Sequence, residues 1–206
     1  MPEIGLFPLE LVLLPGERVP LHIFEDRYRE LIGECLAEGT EFGLILEDSD
    51  GRRQVGTRAG VIEVVDTFDD GRLNVLVEGR DRFRVVELTG GRSFQTAEVE
   101  ALEDDEELPA EAEGEQVLAV FRRLVEAAES GDVREPPVAS PLLSFELAAR
   151  VDFGHELKQE LLELRSERAR LERLGELLER AAQALARERE VRERASGNGK
   201  VTPHHE

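Results

Sequence analysis

Residues 6–28 read LFPLELVLLPGERVPLHIFEDRY, the most informative segment of the chain for its fold. Three prolines, Pro8, Pro15 and Pro20, cannot donate a backbone hydrogen bond, so the strands around them must be short, kinked or at a sheet edge. Pro15 and Gly16 supply a tight turn between two apolar runs. Apolar density this high in a segment interrupted by prolines is typical of the lip of a β-barrel.

The chain after this segment alternates short apolar runs with turn residues. Residues 42–47 form one run, and residues 60–68 and 72–78 flank the turn Asp69-Asp70-Gly71. Asp-Gly between two runs rich in Val, Ile and Leu predicts a hairpin, because these residues tolerate the positive φ of a type I′ turn. With a further strand over 94–102, the pattern predicts a closed or nearly closed β-barrel.

Helical periodicity marks one segment of the first half and most of the second. Apolar residues recur at i, i+3 and i+4 over 25–37, which predicts one helix inserted among the strands. Further helices are predicted over 115–129, 142–151 and 156–164, and Ser166 can cap a long last helix that runs to about residue 194. The predicted fold class is therefore α+β, a β-barrel with one inserted helix followed by a helical bundle.

The division between the two halves lies in an acidic stretch. From Glu98 to Glu115 there are ten acidic residues in 18 and no basic one. Like charges at this density repel one another and stay solvated. We therefore predict a barrel lobe over 1–102, an acidic linker over 103–114, a helical lobe over 115–195 and a flexible tail over 196–206.

The charge and cysteine content limit the possible partners and compartments. The 206 residues carry 46 acidic and 26 basic side chains, a formal net charge of -20. Since nucleic-acid binding needs clustered Lys and Arg, DNA is excluded as a partner and RNA is disfavoured. The single cysteine, Cys35, fits a reducing compartment. With neither a signal peptide nor a membrane-spanning apolar run, the sequence predicts a cytoplasmic protein without a membrane partner.

No arrangement of residues in the sequence predicts catalysis, a cofactor or a metal site. Residues 197–202 resemble a phosphate-binding loop, but Arg194 stands where its first Gly should be, and Val201 follows the Lys. The pair His155-Glu156 would begin a zinc-protease helix, but Gln159 occupies the position of the second His. Cys35 lies on the apolar face of a predicted helix, as a core residue does. We therefore predict no catalytic, cofactor or metal residues and no binding or hydrolysis of ATP.

A stripe of three arginines, Arg80, Arg82 and Arg84, alternates with Asp81 and Phe83. Period two places the three guanidinium groups on one face of a strand. This face could grip an acidic ligand or a phosphate backbone. The net charge favours the alternative, a solvated sheet face paired with nearby Asp and Glu.

Several motifs, in order, resemble the N-terminal substrate-binding domain of the Lon ATP-dependent protease. They are F-P-L at 7–9, L-P-G at 14–16, P-L-H-I-F-E at 20–25, R-Y at 27–28, F-G-L at 42–44, V-G-T at 55–57, G-R-D-R-F-R-V at 79–85, L-S-F at 143–145 and K-Q-E-L-L at 158–162. Their order and spacing over residues 4 to about 190 are specific, although each is short. The resemblance implies a PUA-like β-barrel followed by a helical bundle.

The resemblance also implies a function without catalysis. The ATPase module and the Ser-Lys peptidase module of a full Lon protease are not in this sequence, which resembles a free-standing form of the domain. In the family this domain recognises unfolded or tagged polypeptides, so we expect a non-catalytic protein-binding module, or an adaptor or competitor that acts with a separate full-length Lon. The alternative from a different class is a small-ligand or RNA sensor built on a PUA-like barrel.

Two predictions about individual side chains concern the first strands. Leu13 and Leu14 are adjacent, and a strand alternates its side chains, so one of them should be at least partly exposed beside Pro15. The alternative is that the turn directs both side chains inward. These three residues are the candidate polypeptide-binding site. Phe24, between a strand and the start of a helix, is expected to be a buried anchor whose truncation to alanine would cost about 3–5 kcal/mol.

Overall fold

Six strands and five helices make up the described part of the chain. The computed structural model describes residues 2–105, 109, 111–128 and 133–197, with side chains described as far as Arg192. The first half contains β1 (Glu3–Leu9), β2 (Arg18–Ile23), α1 (Asp26–Glu38), β3 (Phe42–Asp48), β4 (Gly51–Thr67), β5 (Leu73–Thr89) and β6 (Thr96–Ala101). The second half contains α2 (Glu111–Ala127), α3 (Leu143–Ala148), α4 (Gly154–Glu163) and α5 (Glu167–Gly197). The predicted α+β class is confirmed.

The six strands form one mixed sheet in the order β2-β5-β4-β3-β1-β6. An additional pairing between β5 and β6 closes five of the strands into a ring, and β2 lies outside this ring on β5. The pair β1–β3 is parallel and the other pairs are antiparallel. The predicted closed sheet with one inserted helix is therefore confirmed.

The two longest strands, β4 and β5, form a hairpin of 17 residues on each side. Gly71 has φ 83°, and its N–H donates to Phe68 O at 2.9 Å while Phe68 N–H donates to Arg72 O at 2.9 Å. These bonds close a three-residue loop over 69–71, the arrangement of a type I turn followed by a bulge, in place of the type I′ turn. The hairpin itself is as predicted. Its far part, residues 60–78, extends beyond β3 and is called the distal hairpin below.

Strand β5 continues through Gly79 to Thr89, well beyond the apolar run over 72–78. A Cβ atom at this position would lie 2.2 Å from the carbonyl oxygen of Leu14. The close approach allows Gly79 N–H to donate to Glu17 O and Gly16 N–H to donate to Gly79 O, both at 2.9 Å. The glycine therefore fixes the β1–β2 loop against the middle of β5.

Helix α1 covers one opening of the strand ring. Its buried side chains are Tyr28, Leu31, Ile32 and Cys35, which are the residues that the periodicity singled out, apart from Leu36 on the exposed face. The Tyr28 ring stacks on Phe7 of β1, with ring centroids 4.1 Å apart. Apolar spacing and strand packing thus agree in placing this helix.

The helices of the second half lie where they were predicted, with small shifts of their ends. Helix α2 begins at Glu111, earlier than the predicted Glu115, and α5 reaches Gly197. The N–H of Ala169 donates to Ser166 Oγ at 3.3 Å, so Ser166 caps α5 as expected. Residues 198–206, which include most of the predicted tail and of the loop-like run at 197–202, lie outside the described residues.

One hydrophobic cluster joins the two halves of the molecule. Buried residues of the strand half contribute to the same cluster as the helices: Val12, Leu14, Leu46, Val55 and Leu102. They contact a larger helical set that includes Phe121, Phe145, Leu161, Leu171, Leu174 and Leu178. The strand half and the helical half therefore share a core in addition to the clusters inside the strand ring.

Candidate functional site

The prediction that Leu13 or Leu14 would be exposed is wrong. Leu13 is 1% exposed, Leu14 is 0% exposed, and Pro15 is also buried. Both residues lie in the irregular segment between β1 and β2, where strict strand alternation does not apply. Leu13 packs in the cluster under α1, and Leu14 packs in the cluster shared with the helices. These residues hold the two halves together and present no apolar surface to a partner.

The prediction that Phe24 is a buried anchor is also wrong, because the side chain is 61% exposed. Phe24 comes directly after the last residue of β2, Ile23, which is buried. Strand alternation therefore turns Phe24 away from the core that Ile23 enters. A large aromatic ring in this position is available for contact with a partner.

Phe24 belongs to a group of aromatic and apolar side chains on the outer face of β2 and the distal hairpin. The strand register aligns Pro20 with Leu76, and His22 with Asn74. The His22 ring contacts both Phe24 (ring centroids 6.0 Å apart) and Phe68 (5.9 Å). We call the set Pro20, His22, Phe24, Phe68 and Leu76 the aromatic patch.

Polar side chains fix the geometry of the aromatic patch. Asn74 Nδ2 donates to Asp66 Oδ2 at 3.0 Å, which directs Asn74 Oδ1 towards His22. The Nδ1–H of His22 therefore donates to Asn74 Oδ1, at 2.7 Å. The Arg72 guanidinium covers the Phe68 ring at 5.1 Å. The rings are thus held by three neighbouring strands before any ligand arrives.

Two bulges add exposed aliphatic side chains to the same hairpin. The register of β4 on β5 shifts between Val61 and Glu63 and again between Val64 and Asp66, so Ile62 and Val65 are extra residues. Nine large apolar side chains are exposed in the described part of the chain. Five of them are Phe24 itself and four residues of the distal hairpin, Ile62, Val64, Val65 and Phe68. The largest concentration of exposed apolar surface is therefore at this end of the molecule.

The arginine stripe divides between the surface and the interior. Arg80 and Arg84 are exposed, as the solvated alternative expects, but Arg82 is 6% exposed. Its Nη1 donates to the carbonyl oxygens of Leu162 (2.7 Å) and Leu164 (2.6 Å), at the end of α4. Arg82 therefore joins β5 to the helices and is not available to an acidic ligand.

Asp104 connects this arginine to a second buried one. Arg82 Nη2 pairs with Asp104, and Arg170 Nη1 of α5 donates to Asp104 Oδ1 at 2.7 Å. Arg170 also pairs with Glu167 at 2.8 Å, and both guanidinium groups lie over the Phe145 ring, at 5.5 and 4.4 Å. Asp104 therefore pairs with two buried arginines within the predicted acidic linker, while 34% of its own side chain stays exposed. Residues 106–108 and 110 of that linker lie outside the described residues.

A groove of about 720 Å³ lies between the strand half and the helices. Pro15, Leu102, Leu142 and Phe145 contribute apolar walls. Its charged lining consists of Glu41, Glu78, Asp81, Glu103 and Asp104 against Arg58, Arg80 and Arg82. Carboxylates outnumber guanidinium groups in this groove, and Arg82 already bonds the end of α4 and Asp104. The groove therefore does not favour the binding of RNA.

The chemistry of reactive side chains adds no site among the described residues. Within them, no group of three or more His, Cys, Asp and Glu side chains is placed to hold a metal ion. Burial raises the pKa of the Cys35 thiol above its usual value, so the reactive thiolate is disfavoured. His204 and His205 lie outside the described residues. None of the described helices is both long and apolar enough to cross a membrane.

Comparison with known proteins identifies the family. A family model described as "ATP-dependent protease La (LON) substrate-binding domain" matches residues 3–180. The chain belongs to this family. The matched model describes the substrate-binding domain of Lon and not its peptidase domain. The resemblance found in the motifs is therefore confirmed.

The chain is similar to one part of several Lon proteases. Lon protease 1 of Hydrogenovibrio crunogenus is 24% identical over 201 residues, which cover 90% of this chain and 24% of that protein. Lon protease 2 of Myxococcus xanthus is 29% identical over 189 residues, which cover 84% of this chain and 23% of that protein. The chain spans about a quarter of the length of these curated relatives.

Solved Lon domains share the fold. The Lon N-terminal domain protein from Xanthomonas campestris superposes with a TM-score of 0.66 at 27% identity, covering 84% of this chain and 97% of that one. The N-terminal domain of the Mycobacterium avium complex Lon protease superposes with a TM-score of 0.65 at 18% identity, covering 88% and 98%. The second likeness shows the fold alone.

Sequence reasoning missed the aromatic patch of this Lon domain for an identifiable reason. Phe24 and Phe68 were assigned to a junction and to a strand end, and neither was weighed as surface. The spacing of Phe24 could have indicated its exposure. Phe24 follows Pro20 and His22 at every second position, so it shares their face of the strand, and a histidine on that face indicates contact with solvent. Asp104 gave no such signal, since nothing near it in sequence distinguishes it from the surrounding acids.

Proposed function

We propose that this chain is a non-catalytic module that binds unfolded or partly folded polypeptides, and that the aromatic patch holds them. The observation that carries the proposal is the exposure of Phe24, at 61%, beside Phe68 in a domain of the Lon substrate-binding family. Unfolded chains differ from folded ones chiefly in the apolar side chains that they expose. An exposed aromatic surface therefore binds unfolded chains in preference to folded proteins, which expose fewer apolar side chains.

The geometry of the patch suits an extended chain. Alternate side chains of an extended polypeptide lie on one side, about 7 Å apart. The ring centroids of Phe24 and Phe68 each lie about 6 Å from that of His22. A client strand that crosses β2 and the distal hairpin can therefore place successive apolar side chains against the two rings.

The relatives of the chain suggest the fate of a bound client. The proteins that the chain matches are Lon proteases, and it corresponds to about a quarter of their length. We take the bound client to be passed to a Lon ATPase and peptidase, in the same polypeptide or in a separate Lon for which this chain serves as an adaptor. The module itself supplies recognition and no catalytic group.

The test compares Phe24→Ser with the control Leu36→Ser, which changes a 43% exposed side chain on α1 outside the patch. The probe is a labelled dodecapeptide with alternating Phe and Leu on a neutral Gly/Ser background, measured by fluorescence anisotropy. We expect Phe24→Ser to weaken binding about tenfold, as for an aromatic anchor at an interface. Leu36→Ser should bind as the unchanged protein does.

Thermal unfolding of the same variants separates binding from folding. Because Phe24 is exposed, its replacement should change the free energy of unfolding by only about 0.5 kcal/mol. Equal peptide affinity of Phe24→Ser and the unchanged protein would contradict the proposal. A loss of several kcal/mol of stability would contradict the assignment of Phe24 to the surface.

A further inference from the structure

The aromatic patch lies in an unbalanced field of carboxylates. Nine charged side chains lie near it, in residues 25–29 and 63–72. The acidic ones are Glu25, Asp26, Glu63, Asp66, Asp69 and Asp70, and the basic ones are Arg27, Arg29 and Arg72. Six acids against three bases leave a local formal charge of -3, on the most apolar part of the surface.

The three arginines are already engaged within the protein. Arg27 pairs with Glu25 at 2.8 Å, Arg29 pairs with Asp26, and Arg72 pairs with Asp70 at 2.7 Å. Arg29 Nη1 also donates to the Asp70 carbonyl oxygen at 2.6 Å. These contacts neutralise Glu25, Asp26 and Asp70, so the uncompensated charge belongs to the other three carboxylates.

Glu63, Asp66 and Asp69 are the carboxylates without a cation. In the part of the chain that the structure describes, none of the three lies within 4.0 Å of a Lys, Arg or His nitrogen. Asp66 accepts a hydrogen bond only from the neutral amide of Asn74. All three are exposed. Their charge is therefore available to a partner.

The strand register directs two of these carboxylates to the same side as the rings. Glu63 lies opposite Leu76, which lies opposite Pro20. Asp66 lies opposite Asn74, which lies opposite His22. Directly opposed residues of antiparallel strands share a face of the sheet. Glu63 and Asp66 therefore form one border of the aromatic patch, and Asp69 in the turn continues that border past Phe68.

We propose that the partner of this surface is an extended polypeptide segment in which Lys or Arg flanks apolar residues. The inference rests on the proposed function and specifies its substrate class. The apolar side chains of the client cover Phe24 and Phe68, and its cations reach Glu63, Asp66 and Asp69. The open face of Phe24 also attracts a cation through its ring, whereas Arg72 already covers Phe68.

The test uses three labelled peptides with the same Phe/Leu core and flanking residues that are all Lys, all Ser or all Glu. Their affinities are measured at about 0.02 M and about 0.5 M salt, because screening weakens exposed ion pairs over this range. We expect the Lys peptide to bind about fivefold tighter than the Glu peptide at low salt, as for two or three exposed pairs. The difference should shrink at high salt.

Two double variants of equal net charge locate the effect. Glu63→Gln with Asp69→Asn removes charge beside the patch, and Glu126→Gln with Glu156→Gln removes the same charge from exposed positions on α2 and α4. The first pair should reduce the preference for Lys over Glu peptides, and the second should preserve it. Equal loss in both would show that overall charge and not the border selects the client, and would overturn the inference.

The remaining outcomes separate this inference from the proposed function. If all three peptides bind equally and Phe24→Ser weakens each of them, the inference fails and the proposed function stands. If none of the peptides binds, the proposed function fails. If the protein dimerises in sedimentation and Phe24→Ser makes it monomeric, the patch is an interface between copies of this chain, which overturns the inference.

Discussion

Asp104 forms ion pairs with both halves of the molecule. Its carboxylate faces the guanidinium groups of Arg82 from β5 and Arg170 from α5. Partial burial acts to raise the pKa of Asp104, but the hydrogen bonds and charge of Arg170, then those of Arg82, outweigh it and lower the pKa below its usual value of 3.8. Burial lowers the pKa of Arg82, yet an arginine stays protonated at any ordinary pH.

The lowered pKa predicts how Asp104 contributes to stability at different pH. A carboxyl group whose pKa is depressed on folding stabilises the protein above its unfolded pKa, and that contribution is lost as pH falls through the folded pKa. Asp104→Asn should therefore cost about 3 kcal/mol at neutral pH, because two buried cations lose their shared partner. Urea unfolding should show the difference between the two proteins closing below pH 3.8.

The neighbouring residue provides the control for this experiment. Asp105 pairs with Arg165 at 3.2 Å, but the side chains are 62% and 53% exposed. Asp105→Asn should therefore change stability by less than about 1 kcal/mol at every pH. A difference between Asp104→Asn and the unchanged protein that stays constant from neutral pH to below the usual Asp pKa would show that charge plays no part.

The β4–β5 hairpin is the element that links the core to the proposed binding surface. Its inner part belongs to the closed ring of strands, and its distal part supports β2 and the aromatic patch. One hairpin can do both because each strand is 17 residues long. The position of Phe68 at its tip therefore depends on the rigidity of the whole element.

Gly79 is the position at which this hairpin bonds to the β1–β2 loop. Gly79→Ala would bring a Cβ atom to 2.2 Å from Leu14 O and force the β1–β2 loop away from β5. We expect a loss of about 1–3 kcal/mol in the free energy of unfolding, as for overpacking of a tight contact. Chemical denaturation of the purified variant measures it.

Gly90→Ala is the matched control, just beyond the far end of β5. Gly90 has no atom within 4 Å of a built Cβ, and its φ is not positive. Its replacement should alter stability by only about 0.5 kcal/mol. If the two glycine variants are equally stable, the contact between Gly79 and Leu14 does not constrain the loop.

At the scale of the whole molecule, the shared cluster predicts that the strand half and the helices unfold together. Leu14 and Val55 of the strand half are buried among helical residues, and Arg82 hydrogen-bonds the end of α4. The only Tyr, Tyr28, lies in the strand half, and there is no Trp. Tyrosine fluorescence and far-UV circular dichroism should therefore give coincident denaturation curves. Separate curves would show that each half is an independent folding unit.

The sequence by itself determined the type and order of most elements. Apolar spacing placed α1 and the stripe of α5, and Asp70-Gly71 placed the turn of the β4–β5 hairpin, because these signals depend on residues close together in the chain. The motifs also established the Lon substrate-binding family. The pairing of Asp104 with Arg82 and Arg170 was not predicted, since an acidic run carries no sign of the distant arginines that the fold brings to it.

Only the tertiary structure decided which side chains are exposed. Leu13 and Leu14, in the loop between β1 and β2, enter different clusters, and the helices that cover Leu14 come from more than a hundred residues later in the chain. Strand alternation directs Phe24 away from the core that Ile23 enters, and Phe24 stays uncovered because no described element packs over the outer face of β2. Local pattern gives the direction of a side chain, whereas burial depends on what the rest of the chain places there. The candidate surface of this domain therefore became visible only in three dimensions.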